Sequence, residues 1–139
     1  MSANATLGLP EVQRGLVAGA SGLLRLHRQI PRKIAAEAAF TGDPINAASA
    51  LRWGLANRVV PTSEVLATAL SLAEKVAANT PLAVRASKRI MTQSATGSDW
   101  DPAVWETNQA EVAAVRASRD AHEGAIAFAQ KRTPFWIGC

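Results

Sequence analysis

The sequence predicts a mostly helical α/β chain whose short strand segments are confined to its first half. Three observations point there. Thr80-Pro81, Asp101-Pro102 and Ser118 each set a capping side chain ahead of a helix-forming run. Between positions 63 and 78 the apolar residues return every three to four places, the period of an amphipathic helix. Extended character is limited to two short pieces, residues 1–9 and 57–60, the second stopped by Pro61.

Taken in order, residues 1–9 read as a short strand or strand end, which leaves backbone groups unpaired unless neighbours complete a sheet. Pro10 turns the chain. A helix is expected over about residues 20–29, and Pro31 opens a second that runs to about residue 40. Thr41-Gly42-Asp43-Pro44 has the breaker content of a turn. A third short helix over about residues 46–53 ends at Gly54, a natural left-handed cap. From residue 63 to 78, Val65, Leu66, Ala69, Leu70, Ala73 and Val76 share one face, with Glu64, Thr68, Ser71 and Lys75 on the other. Helices over about residues 81–94, 101–117 and 118–132 follow. The organisation is therefore residues 1–62, which hold the strands and a glycine-rich turn, and residues 63–139, which are helical.

Composition narrows the class. A chain of 139 residues, 48% hydrophobic and 19% charged, reads as one soluble globular domain. No apolar run reaches the ~20 residues that span a bilayer, so no membrane is expected. The N-terminus lacks the basic-then-apolar order of a signal peptide, which points to the cytoplasm. Cys139 stands alone, which excludes an internal disulfide and a thiolate metal cluster. His27 is isolated and His122-Glu123 lacks the second histidine of a zinc-protease helix, so no metal is expected. A net charge of +4 raises the question of a polyanionic partner. The basic residues form no tract and accompany no nucleic-acid-binding motif, so nucleic acid is not expected. Solvated helix faces or a phosphate-rich small molecule account for them.

The chemistry concentrates in residues 7–26. Glu11 is the only acidic residue before Glu37, and glycines follow it at positions 15, 19 and 22. A carboxylate on the rim of an apolar turn is a candidate acid/base group, because desolvation brings its two protonation states closer in energy. From the residues alone, a lone glutamate in a turn is more often a solvated or capping residue, and that reading stays open for Glu11. Gly19-Ala20-Ser21-Gly22 would present backbone N–H groups at a helix N-terminus, where an anion or polarised water can bind. The segment lacks the lysine of a phosphate-binding P-loop and the spacing of a dinucleotide fingerprint. It is also one residue short of a nucleophile elbow, which leaves Ser21 as a helix-entry residue.

The order of these pieces resembles the crotonase (enoyl-CoA hydratase/isomerase) superfamily. The resemblance runs from Gly8-Leu9-Pro10-Glu11-Val12, with eight residues from Glu11 to Gly19, through Leu23-Leu24-Arg25-Leu26. It continues at Phe40-Thr41-Gly42-Asp43-Pro44-Ile45, at Trp53-Gly54-Leu55-Ala56-Asn57-Arg58-Val59-Val60-Pro61 and at Ala127-Phe128-Ala129-Gln130-Lys131-Arg132. It implies a crotonase-like α/β fold fragment: short core strands, then a helical region of the kind that builds trimers. It implies water addition across the 2,3-double bond of an acyl-CoA thioester, in fatty-acid metabolism, with acyl-CoA as substrate and no cofactor. By resemblance Glu11 is the second of two catalytic glutamates, and the Gly19 N–H helps hold the catalytic water. Phe128 and Lys131 match residues that touch the adenine-nucleotide end of CoA in a neighbouring subunit.

In that family the CoA-binding strand, the oxyanion-hole donors and the first catalytic glutamate belong to the N-terminal half. The expectation is therefore a C-terminal half, truncated and inactive alone, with Leu16, Val17, Leu23, Leu24 and Leu26 uncovered. It would form a homo-oligomer (a trimer or dimer of trimers) or associate with full-length paralogues. An isomerase using one carboxylate without water, or a non-catalytic oligomerisation module, are the alternatives. Retention of both Glu11 and Gly19 favours the hydratase.

Overall fold

Two residues on each side make the only ladder among the described residues: β1 (Thr6–Leu7) runs antiparallel to β2 (Ile45–Asn46), with Thr6 opposite Asn46 and Leu7 opposite Ile45. The computed structural model describes residues 1–95, 98 and 100–139. It forms two compact units, Met1–Leu70 and Ser71–Cys139.

In the first unit β1 leads into a 3₁₀ turn (Pro10–Arg14), then α1 (Gly22–Gln29), α2 (Arg32–Thr41), β2, α3 (Ala47–Arg52) and a second 3₁₀ turn (Thr62–Glu64). α4 (Val65–Ala77) starts in this unit and ends in the next. Local chemistry explains the ends. Gly42, at φ +74°, closes α2 by donating its N–H to the Ala38 carbonyl. The Asn46 side chain accepts the Ser49 N–H at 2.9 Å and caps α3, and Gly54 follows at φ +77°.

Two expectations differ from the structure. Residues 45–46, where the expected helix begins at about 46, are a strand, because β1 lies alongside to pair with them. Residues 57–60, read as a strand, contribute a single bridge in which Val60 pairs in parallel with Ser2. β-Branched residues favour extended backbone, but a ladder forms only where a partner runs beside it. Here the pairing amounts to Ala3 N–H to Val60 O (2.8 Å) and Val60 N–H to Met1 O (3.2 Å), with the N-terminal ammonium on Arg58 O (2.6 Å).

The core of this unit is small-residue packing: Ala35, Ala38 and Ala50 between Ile30 and Ile45. Leu16, Val17 and Leu24 remain 62%, 74% and 63% exposed, and Leu23 is exposed as well. Leu26 departs from expectation, because it packs partly buried against the core.

The second unit contains α5 (Pro81–Ser94), α6 (Pro102–Arg116) and α7 (Arg119–Ala129), followed by an extended tail to Cys139. Asp101 accepts the Ala103 N–H and Ser118 the Ala121 N–H, so both cap as the sequence indicates. Thr80 does not cap α5. Its hydroxyl instead donates to Asp120 Oδ2 at 2.8 Å. Asp120 is 1% exposed and also accepts the N–H groups of Ile137 (2.8 Å) and Gly138 (3.0 Å), which pins the tail to the start of α7. Burial opposes its ionisation, but the three donors outweigh that and hold its carboxyl below the usual carboxylate range. Glu123 chelates the Arg132 guanidinium and accepts the Phe135 N–H at 2.8 Å, and these contacts bring its pKa down to about 2. Arg89 and Glu111 form an ion pair between α5 and α6. Among the described residues no helix is long and apolar enough to cross a membrane.

Glu123 and Asp120 both titrate lower in the fold than in the unfolded chain. The stabilisation from Glu123 is therefore complete above its unfolded value near 4.5 and is lost as pH falls towards about 2, and that from Asp120 is likewise lost on acidification. Hydrogen exchange in α7 and the tail should accelerate over that acid window. In Glu123→Gln the Glu123 part of the pH dependence should vanish; an unchanged acid profile would remove the clamp from the account.

Candidate active site

The candidate site grows out of the 3₁₀ turn. Pro10 fixes φ at its first position, where a missing N–H costs nothing. Gly15, at φ +69°, ends the turn by donating to Val12 O (3.3 Å), and Leu16 N–H returns to Glu11 O at 3.0 Å. This geometry sets Glu11 in the first turn, half-buried. Its Oε2 is buried and has no hydrogen-bond partner among the described residues. A buried carboxylate oxygen without a donor is costly, and such an atom marks a place where a water or a substrate group completes the bonding.

Gly19 lies eight residues on, exposed, ahead of α1. A Cβ added there would meet nothing closer than Val17 O at 3.8 Å, and its φ is not left-handed. The chain's own packing therefore does not require glycine at this position, and the room it leaves lies outside the fold. α1 begins at Gly22, with Ser21 as its N-terminal cap residue at φ 71° and no side-chain capping bond. Ser21 is thus a helix-entry residue, as the sequence indicates.

A cavity of about 260 Å³ opens in the same unit, lined by Leu7, Leu9, Leu26, Ile45 and Leu55, with Arg25 in its wall. Leu9, two residues before Glu11, brings the turn to its edge. An apolar pocket with one cation suits a short aliphatic group carried by an anionic molecule.

Phe128 and Lys131 lie in the second unit. Phe128 is 87% exposed at the end of α7, and Lys131 follows the helix in a left-handed conformation (φ 53°), its N–H on Phe128 O at 3.2 Å. The structure brings these two together, and it separately sets Glu11 and Gly19 on one connected segment. The sequence reading missed Gln13, whose Nε2 donates to Thr41 O at 3.0 Å. No local pattern signals that bond, because its acceptor is 28 residues away.

A half-buried carboxylate held in a short turn, followed by an open glycine and a helix entry, makes this segment the candidate site of the chain. The family model for enoyl-CoA hydratase/isomerase matches residues 1–138, and the chain belongs to that family. It is 41% identical to the carnitinyl-CoA dehydratase of Proteus mirabilis over 99% of this chain and 53% of that protein. It is 42% identical to the mevalonyl-coenzyme A hydratase of Aspergillus fumigatus over 97% of this chain and 50% of that protein. Among solved structures, an enoyl-CoA hydratase from Mycobacterium marinum superposes with a TM-score of 0.94 at 45% identity, covering 99% of this chain and 54% of that one. One from Mycobacterium tuberculosis superposes at 0.92 and 46% identity, with the same coverage. The fold is therefore crotonase-like, and this chain spans about half the length of the curated relatives it matches.

Because nothing crowds Gly19, Gly19→Ala should fold normally, with stability within about 0.5 kcal/mol of the parent. Circular dichroism and urea titration check this. A large loss of helix would mean that Gly19 is structural.

Proposed function

We propose that this stretch supplies one carboxylate and one water-binding N–H to an acyl-CoA hydratase, a carbon–oxygen lyase. The observation that carries the reading is the buried Oε2 of Glu11, without a donor among the described residues and held eight residues before the uncrowded Gly19. Adding water across the 2,3-double bond requires hydroxyl delivery to C3 and a proton at C2, while the thioester oxygen accumulates negative charge. Glu11 exchanges a proton with the water or with C2, and the Gly19 N–H orients the water by hydrogen bonding to its oxygen. The relatives' names, a hydratase and a dehydratase, denote the gain and loss of water, which supports the lyase reading over a proton shuttle without water.

The second carboxylate and the N–H donors for the thioester oxygen are assigned to groups outside these 139 residues. The acyl tail is assigned to the apolar cavity, and the adenine-nucleotide end of CoA to Phe128 and Lys131 of a neighbouring copy in a homo-oligomer. The two-part organisation, core to residue 62 and helical oligomerisation region from residue 63, belongs to the same proposal, as does a cytoplasmic role in acyl-CoA metabolism.

Two outcomes test it. Crotonyl-CoA hydration by this chain alone should fall short of an ordinary hydratase by about 100- to 1000-fold for each missing oxyanion donor. Turnover within tenfold of an ordinary hydratase would show that these residues hold a complete site.

In a chimera where residues 1–139 replace the matching stretch of the Mycobacterium marinum enzyme, Glu11→Gln should cut kcat by about 100-fold or more with KM little changed. Near-normal hydration by that variant would make Glu11 structural.

A further inference from the structure

The turn that carries Glu11 has almost nothing of its own to hold it. It is five residues long and none of them is buried. Yet an acid/base carboxylate has to stay within roughly 0.5 Å of its working position to be effective. The restraint comes from the residues on either side of it. Gln13 lays its side chain over Gly42: a Cβ at Gly42 would lie 2.8 Å from Gln13 Cγ, 2.8 Å from Nε2 and 2.9 Å from Cδ. The same side chain donates to Thr41 O at 3.0 Å, a carbonyl in the last turn of α2 that has no partner further along the helix. Gly42 suits glycine for its φ of +74°, and any side chain there would also have to displace Gln13.

On the other side of Glu11, Leu9 presses on Gly22, where a Cβ would come 2.7 Å from Leu9 Cδ2. Among the described glycines, these two are the positions where an added Cβ would come within 3.0 Å of another atom. The side chains that press on them stand two residues before and two residues after Glu11.

We infer that Gln13, seated on Gly42 and tied to Thr41, is a positioning residue for the Glu11 carboxylate, with Leu9 on Gly22 as the opposing stop. This rests on the acid/base reading of Glu11 for its purpose, but its geometry is independent of that reading. The clamp ties the turn to the first residue of α1 and to the end of α2. Gln13 touches no reacting atom. It limits how far the turn can rotate, and with it how much of Glu11 faces solvent.

Carboxyl footprinting of the whole chain with a carbodiimide and glycine ethyl ester, read by peptide mass spectrometry, tests the clamp directly. Gln13→Ala should raise the labelling rate of Glu11 at least about threefold, while Glu37 and Glu64 label as in the parent and the melting curve is nearly unchanged. Gln13→Met fills the same space over Gly42 without the hydrogen bond and should restore part of the protection. Unchanged Glu11 labelling in Gln13→Ala would overturn the clamp. So would a general rise in backbone exchange across α1 and α2, which would make Gln13 a support of the fold rather than of one carboxylate. Failure of the acid/base reading shows elsewhere, as undiminished hydration by the Glu11→Gln chimera, and would leave the footprint result standing.

Discussion

Gly22 and Gly42 lie so close to neighbouring side chains that an added methyl group would displace Leu9 at the one and Gln13 at the other. The same close approach governs the whole first unit. Its buried set is dominated by alanine, and Ile30 and Ile45 are the large side chains in the cluster. Alanine buries little area, so at about 25 cal/mol per Å² these contacts contribute far less stability than a leucine core would. What they provide instead is short distance between backbones. The Pro10–Arg14 turn itself buries no residue, and its place is set by Leu9 against Gly22 and Gln13 against Gly42. The larger apolar residues are left facing outward, Leu16 and Val17 among them.

The second unit is organised by a buried charge. Asp120 is almost fully enclosed and is compatible with the fold because three donors reach it: Thr80 Oγ1, Ile137 N and Gly138 N. A buried carboxylate with a complete set of hydrogen bonds is tolerated, whereas one lacking them destabilises strongly. The cost falls on α5, whose expected capping residue is diverted to Asp120. The tail so anchored also lets Trp136 donate to Ala78 O at 2.8 Å while its ring lies against Gly124. Each unit thus uses a glycine to admit a large side chain.

The two carboxylates, Asp120 and Glu11, make an instructive contrast. Asp120 is satisfied from within and serves the fold. Glu11 keeps one buried oxygen unsatisfied, at a point where the family's relatives include proteins named as hydratases and dehydratases. The same fold supplies three donors to one carboxylate and, among the described residues, none to the buried oxygen of the other.

The sequence by itself determined the family, since the order from Gly8 to Arg132 carries it, and most helix boundaries, because caps and prolines act over two or three residues. It placed Asn46, Asp101 and Ser118 close to their observed helix starts and Gly54 in its left-handed turn. It also singled out Glu11 and Gly19, because their spacing lies within one segment. Tertiary structure alone decided everything that joins distant residues. It made a strand of residues 45–46, reduced residues 57–60 to one bridge, took Thr80 from α5 for Asp120, and drew Leu26 into the core. It likewise set Gln13 over Gly42, 29 positions away in the chain (42 − 13). The physical reason is the same in each case. A cap or turn is selected by its immediate neighbours, whereas strand pairing, burial and a shared hydrogen-bond acceptor depend on which remote atoms arrive within a few ångströms.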